Sequence, residues 1–529
     1  MTLPSTPTTF DTIVIGAGSA GAALAARLTE DESHRVLLIE SGPDYRSAAT
    51  PPLVTALDVM PMSQDESTRQ QLYYPTLTAV HASGRSPLPY LRGRGAGGSS
   101  AINGLFAIRP TVEDLDDWAS AGLDGWSHDE LLPLLNRIES DQDFGAEAYH
   151  GSTGPIPITR PTPDSCQPMD LAFAESAQSL GHKLTPDHNA PGASGVSPYA
   201  FNAREGRRVS TNDGYLEPAR DRRNLTVVGD TVVDRVLLDG VRAVGVRALS
   251  DGAVVDYRAD QVVLCAGAVH SPTVLMRSGI GPAKDLRALG IGVVADLPVG
   301  KGIQDHAALV LAAHLGEQGR SQPNDGRHSR FCLRFDLGVS ADAKDGMIVA
   351  MTSHHLPDVG VLVGWVNRVE SRGTVRLASS DPSADPVIDL NMLDSEIDRR
   401  RMRRVVAEMQ ALASQSAFLD VSAGSGLADG LEGFLITPET TLLQGTLSDA
   451  DFAAYSQRNV TDTQHCTSTC PMGLDPTTSV VDAKGRVHGI EGLRVADASI
   501  APWVPRANTH LTAILIGEKI ADDLRAANR

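Results

Sequence analysis

The residues best suited to hold a ligand stand near the start of the chain. Gly16, Gly18 and Gly21 follow the G-x-G-x-x-G spacing, and Glu40 lies 24 residues beyond the first of them. Each position has its own job. Gly16 permits a tight turn, Gly18 lets a pyrophosphate approach bare backbone, and Gly21 lets a helix pack closely on a sheet. Glu40 can accept hydrogen bonds from ribose hydroxyls, and an acid there favours a free 2′-OH over a 2′-phosphate. A second cluster runs from Gly93 to Gly104 (GRGAGGSSAING). Within it Gly97, Gly98, Ser99 and Ser100 offer backbone N–H groups and hydroxyls to an anion, which suits a cofactor longer than a mononucleotide.

The elements that must position these residues are legible around them. Thr12 to Ile15 is an apolar run that predicts a buried strand, Ser19 to Leu28 an Ala-rich helix, and Val36 to Ile39 a second strand ending at Glu40. The helix N-terminus, at Ser19, supplies free N–H groups and the positive end of a dipole. This strand–helix–strand unit predicts dinucleotide binding, with NAD and FAD both compatible. Further along, 114–141 predicts two helices around a Gly125–Trp126 turn. The alternating stretch 224–249 predicts paired strands with a turn at Asp239–Gly240. The continuous apolar run 261–266 predicts a central strand. Strand-like pieces at 359–366 and 373–377 precede a charged helix over 395–413, and 511–524 predicts a terminal helix. The stretch 42–89 reads as loop-rich.

Composition limits the partners. At 529 residues the chain is long enough for two to four domains. Hydrophobic content of 41% with 21% charged residues is ordinary for a globular protein, and no run approaches the ~20 apolar residues of a membrane span. A net charge of −19 opposes a nucleic-acid partner. The opening MTLPSTPTTF has no basic or apolar leader region, so a cytoplasmic location is expected. Five scattered cysteines give no disulfide framework. His465, Cys466 and Cys470 are zinc-ligand types, but no fourth ligand stands at suitable spacing, and no metal site is assigned. His354 and His355, if on a strand, would point to opposite faces.

Three blocks in order carry a family resemblance: the N-terminal unit, the Gly93–Gly104 cluster with Asp114, Asp116, Trp118 and Trp126 downstream, and GAVHSP (Gly267 to Pro272) continuing through SGIGP (Ser278 to Pro282). VGKGIQDH (Val299 to His306), SRGTVRLASSDP (Ser371 to Pro382) and RVHGIEGLRVADASIAP (Arg486 to Pro502) extend it over nearly the whole chain. The sequence resembles the glucose–methanol–choline (GMC) family of FAD-dependent oxidoreductases. The resemblance implies an α/β architecture. A Rossmann-like FAD-binding domain is assembled from discontinuous segments (1–160, 205–305 and 457–529). An α+β substrate-binding domain, an antiparallel sheet plus helices, is inserted from 161–204 and 306–456.

The resemblance also implies site residues. Gly16, Gly18, Ser19, Gly21, Glu40, Arg94, Gly97, Gly98, Ser100, Asn103, Gly104, Val233, Ala266, Asp497, Ala498, Asn508 and Thr509 are expected to contact FAD. Ile102 stands where some members attach FAD to a histidine, so non-covalent FAD is expected. The family's H-x-x-G-T-x-x-M-G loop matches His465 to Gly473 with Ser468 in place of the glycine, making His465 the expected base. His510, in Asn508–Thr509–His510, is expected to bind the same substrate hydroxyl. His306 reads as structural. The implied reaction is oxidation of an alcohol CH–OH, with oxygen or another carrier reoxidising the flavin. A low aromatic content of 4% favours a sugar, glycoside or other polyhydroxylated substrate. Aryl or furfuryl alcohols are the alternative, followed by a non-redox hydroxynitrile lyase on the same fold and an NAD-linked reductase.

Overall fold

A computed structural model describes residues 9–341, 343–430 and 440–527. Its first sheet is built on Thr9–Ile15, which lies parallel between Val36–Ile39 and Ala253–Leu264. Leu225–Val228 adds to the outer edge of Val36–Ile39, also parallel. On the other side Arg242–Ser250 and Thr231–Asp239 continue the sheet antiparallel, and Leu493–Val495 pairs in parallel with Ala253–Leu264. Val36 to Ile39 and Ile13 to Ile15 are at most 4% exposed. Burial on both faces is why these strands read as continuous apolar runs.

Helix Ser19–Leu28 packs against the C-terminal helix Thr509–Ala527 so closely that a Cβ on Gly517 would meet the Ala20 carbonyl oxygen at 2.4 Å. Fully buried Glu518 locks the pair: its carboxylate bonds Arg27 at 3.0 Å and the Tyr215 hydroxyl at 2.7 Å. The two ends of the chain are thereby joined.

A second, seven-stranded sheet has the order Thr441–Leu443, Ser422–Asp429, Ala308–Leu315, Leu356–Val366, Gly346–Ser353, Phe331–Phe335 and Gly195–Pro198, antiparallel throughout. Its strands alternate in the period of two that separates sheet faces. Leu309, Leu311, Ile348 and Leu362 pack with Met402, Val405 and Met409 of helix Glu396–Ala413. Val310, Met347, Val349, Val363 and Trp365 instead join Leu57, Leu105, Phe106, Tyr199, Phe201 and Ala507.

A third sheet of five short strands crosses the expected domain division, taking Thr78–Val80, Leu88–Pro89 and Lys301–Ile303 from one side and Gly373–Arg376 and Val387–Asp389 from the other. Two local expectations change. The loop-rich stretch 42–89 contains three helices, Pro52–Thr55, Val59–Gln64 and Glu66–Leu72, the last two capped by Asp58 and Asp65. Leu225–Val228 leaves the expected hairpin to extend the parallel sheet, because Val36–Ile39 has an open edge there.

Candidate active site

The glycine-rich turn and the Gly93–Gly104 cluster meet face to face. Gly16 adopts φ +101°, and a Cβ there would meet the Cys265 carbonyl oxygen at 2.5 Å. Gly98 adopts φ +51°, and its Cβ would lie 2.8 Å from Gly18 Cα. The Gly97 N–H donates to the Ala17 carbonyl at 3.0 Å, fastening one loop to the other. Gly18 caps helix Ser19–Leu28 without a side-chain hydrogen bond, so the first N–H groups remain open to an anion.

Glu40, 5% exposed, joins three loops rather than standing open. Its Oε2 accepts from the Ala17 N–H at 2.8 Å, and its Oε1 from Gly42 at 2.9 Å and Gly95 at 2.8 Å. The lone pair left on Oε2 is the one available to a ribose hydroxyl. Asp497 is likewise a backbone clamp. It accepts from the Gly267 N–H at 2.9 Å, the Ser271 hydroxyl at 2.6 Å and the Ser499 N–H at 2.8 Å. Burial raises its carboxyl pKa. Ala266, at the cap of helix Gly267–Arg277, donates its N–H to Ser271 Oγ at 3.0 Å, and Ala498 begins the short turn after Asp497.

Ser100 donates to the Gly97 carbonyl at 2.6 Å and accepts from the Thr211 N–H at 3.0 Å. Asn103 Oδ1 accepts from Arg208 at 2.8 Å and from the Leu105 N–H at 3.0 Å. The Arg94 N–H donates to the Leu72 carbonyl at 2.9 Å, while its buried Nε has no partner. Gly104 abuts Phe106, and Val233 is buried in its strand with its carbonyl accepting from Arg277 at 3.2 Å.

His465 sits between two residues of left-handed backbone, Gln464 (φ +65°) and Ser468 (φ +68°). Ser468 therefore occupies a conformation that favours the glycine of the family loop. Its hydroxyl, fully buried, lies 2.9 Å from Thr467 Oγ1. The His465 N–H donates to Asp305 Oδ1 at 2.9 Å, and Asp305 also accepts from the His306 N–H at 2.8 Å and the Tyr90 hydroxyl at 2.7 Å. Burial, with the neighbouring Asp462 carboxylate, pushes Asp305 up to about 7.

The hydrogen bonds fix the protons on His465. His306 Nε2 lies 3.0 Å from the Pro505 carbonyl, which only accepts, so this nitrogen carries hydrogen. Burial pushes His306 down to about 4, so its other nitrogen, Nδ1, is bare. That atom is 3.0 Å from His465 Nδ1 and accepts its N–H; Thr463 Oγ1 is also 2.7 Å from His465 Nδ1. His465 Nε2 is then the lone-pair nitrogen. Burial first, then His306 and Arg92, hold His465 well below the ordinary histidine range.

The atom facing that lone pair belongs to Asn508. Its Nδ2 donates to His465 Nε2 at 3.0 Å, and the Tyr199 hydroxyl, donating to Asn508 Oδ1 at 3.2 Å, sets which end of the amide points there. His510 bonds a different partner. Its Nδ1 lies 2.9 Å from the Ser19 hydroxyl at the start of the glycine-motif helix, and its buried Nε2 has no partner. Burial, then Arg208, pushes His510 down to about 4. The structure thus brings together His465, His306 and Asn508, and bonds His510 Nδ1 to Ser19 of the dinucleotide motif while its Nε2 is left without a partner. Thr509 opens the C-terminal helix between the two.

Family models described as GMC oxidoreductase match residues 10–308 and 369–517. The chain belongs to the GMC oxidoreductase family. It is 34% identical over 533 residues to 5-(hydroxymethyl)furfural oxidase of Methylovorus sp., covering 98% of this chain and 99% of that one. It is 36% identical over 552 residues to oxygen-dependent choline dehydrogenase of Klebsiella pneumoniae, covering 98% and 96%. Among solved structures, pyridoxine 4-oxidase from Mesorbium loti superposes with a TM-score of 0.88 at 30% identity, over 98% of this chain and 99% of that one.

As a GMC protein the chain is an FAD-dependent alcohol oxidoreductase. Its residues fit the cofactor. The Gly98 backbone faces Gly18 with no room for a Cβ of its own, Gly18 keeps open space beside it, and the open helix N-terminus suits a pyrophosphate. The unpartnered buried Nε2 of His510, beside Ser19, is a polar atom awaiting a partner.

Sequence reasoning missed His306, Tyr199 and Thr463. For His306 the Gln304–Asp305–His306 triplet was a signal, and Thr463 stands two residues before His465; Tyr199 is connected to the site only by the fold.

Proposed function

We propose that this GMC oxidoreductase oxidises a hydroxymethyl group carried on an aromatic or furan ring to the aldehyde, with His465 as base and Asn508 as its partner on the hydroxyl. Bound FAD, held non-covalently because Ile102 offers no nucleophile, supplies the hydride acceptor. The chain's own residues handle the proton. A substrate hydroxyl entering between Asn508 and His465 donates to His465 Nε2 and accepts from the Asn508 N–H, replacing their direct contact. Asn508 then stabilises alkoxide character while His465 takes the proton. The depressed basicity of His465 keeps its lone pair free at neutral pH.

The observation that carries the substrate reading is the gathering of rings beside Asn508. Phe106 stacks on Tyr199 with centroids 4.0 Å apart and planes 12° apart, Phe201 tilts against both, and Tyr199 itself holds Asn508. The chain has few aromatic residues, but it gathers three of them beside Asn508, the residue proposed to hold the substrate hydroxyl. This favours an aryl or furfuryl alcohol over the polyhydroxylated substrate that composition favours. The relatives named for 5-(hydroxymethyl)furfural and pyridoxine support it, since both compounds carry hydroxymethyl groups on rings.

The test is anaerobic mixing of the flavin-loaded enzyme with furfuryl, benzyl, glycosidic and sugar alcohols while flavin absorbance is followed, then admission of air. Bleaching by the ring alcohols and not by the sugars is expected. Faster bleaching by sugars would overturn the substrate reading, and an unchanged spectrum with cyanohydrin cleavage would leave the lyase. His465→Ala is expected to keep FAD and slow bleaching by about 10²–10⁴-fold.

A further inference from the structure

A second cluster of ligating side chains lies apart from His465 and Asn508. His354 and His355 occupy the two-residue turn joining Gly346–Ser353 to Leu356–Val366, so they lie between strands and not on one. Their rings are 4.1 Å apart, and both approach Asp58. Asp58 Oδ2 is 3.2 Å from His355 Nε2 and 3.8 Å from His354 Nδ1, and the three ligand atoms lie within 4.8 Å of one another.

Asp58 Oδ1 is already engaged: it accepts the Met60 N–H at 2.9 Å and caps helix Val59–Gln64. Oδ2 is the oxygen left to face the imidazoles. Among the described residues, neither imidazole makes a side-chain hydrogen bond, to Asp58 or to anything else; they meet Asp58 at ion-pair distance only. Close approach without hydrogen bonds is what donor atoms around a common ion require, because each aims its lone pair at the ion. Zinc bonds of 2.0–2.2 Å in a tetrahedron place neighbouring ligand atoms about 3.4 Å apart. The two observed separations bracket that value.

The pieces carrying the ligands are held together independently. Met60 Sδ lies 3.6 Å from Ser353 Oγ, and a Cβ on Gly326 would meet the Asp58 nitrogen at 2.9 Å. Leu57 and Val59, flanking Asp58, pack into the cluster containing Phe106 and Trp365.

We propose that Asp58, His354 and His355 bind one zinc-like divalent ion with water in the fourth position, fastening the helical segment 52–72 to the substrate-side sheet. Two imidazoles and one carboxylate are the donor set such an ion prefers. The ion ties down a segment that forms part of the wall around the aromatic cluster.

The test uses tag-free, flavin-loaded enzyme stripped with a chelator and titrated calorimetrically with zinc chloride, with elemental analysis after dialysis. One zinc per chain is expected, together with slower amide exchange over 52–72. The His354→Gln/His355→Gln double variant and Asp58→Asn, which preserves the helix cap, are expected to lose this. Removing direct ligands should cost more than the roughly 10–100-fold in affinity typical of outer-shell changes. Flavin content and melting temperature measured without zinc establish that the variants are folded. The proposal is overturned if the wild type takes up no zinc, or if the folded variants bind it equally tightly.

Discussion

Replacing His306 with leucine removes the acceptor that holds the His465 proton on Nδ1. In the native arrangement that N–H has two acceptors, His306 Nδ1 at 3.0 Å and Thr463 Oγ1 at 2.7 Å. Without His306 only Thr463 Oγ1 still holds the proton on Nδ1, and part of the population can shift it to Nε2, the very atom that must receive the substrate proton. One hydrogen bond lost while another acceptor remains is worth about 0.5–1.5 kcal/mol. At about 1.4 kcal/mol per tenfold, the productive tautomer is disfavoured by roughly 2- to 12-fold. His306→Asn restores an acceptor oxygen near the position of Nδ1 and should recover most of the loss. The assay is anaerobic stopped-flow flavin reduction, with flavin content and melting temperature measured alongside. The limiting reduction rate is expected to fall in the leucine variant while apparent substrate affinity changes little. Undiminished reduction by His306→Leu, or equal deficits in the leucine and asparagine variants, would refute the tautomer argument.

Asn508→Ala is expected to slow flavin reduction by about 10–100-fold, consistent with losing one charge-stabilising donor. His510→Ala should instead leave reduction nearly intact in the loaded enzyme and increase flavin loss on dilution; the reverse pattern would restore His510 to the substrate. Gly98→Ala should yield protein largely free of flavin, read from its visible absorbance, because the added Cβ lies 2.8 Å from Gly18 Cα. Acid should destabilise the fold early. His306, His328 and His510, each pushed by burial down to about 4, stay neutral in the native state while unfolded histidines protonate near about 6.5. The unfolded chain therefore binds more protons as pH falls from about 6.5 towards 4, and each histidine removes up to about 1.4 kcal/mol of stability per pH unit in that window. Denaturant midpoints that stay level between pH 6.5 and 4.5 would contradict this.

Legibility followed burial. Ile13 to Ile15 and Val36 to Ile39 read correctly because strands covered on both faces need apolar residues at every position. The helical segment 52–72 did not read, since its elements are four to seven residues long, too short for a helical period to show. Their signal was in the caps, Asp58 and Asp65. Glu40 was legible as an acid at a strand end, but not as the acceptor of three backbone amides, because Gly95 comes from a loop 55 residues away.

The hardest choice lay within three residues, Asn508–Thr509–His510, at the start of a helix. Asn508 precedes the first helical residue, Thr509, and His510 lies in the first turn, so a sequence match to the string does not say which partner each side chain meets. The rotation of the C-terminal helix decides it, and that rotation is set far from the chemistry. Gly517 presses its backbone onto Ala20, and Glu518 is buried between Arg27 and Tyr215. With that contact fixed, His510 meets Ser19 of the glycine-motif helix, and Asn508 is left to meet His465. The packing of one glycine eight residues past Thr509 thus helps to set His510 against Ser19 and Asn508 against His465. Enlarging Gly517 to Ala, whose Cβ would lie 2.4 Å from the Ala20 carbonyl oxygen, should disturb both functions at once.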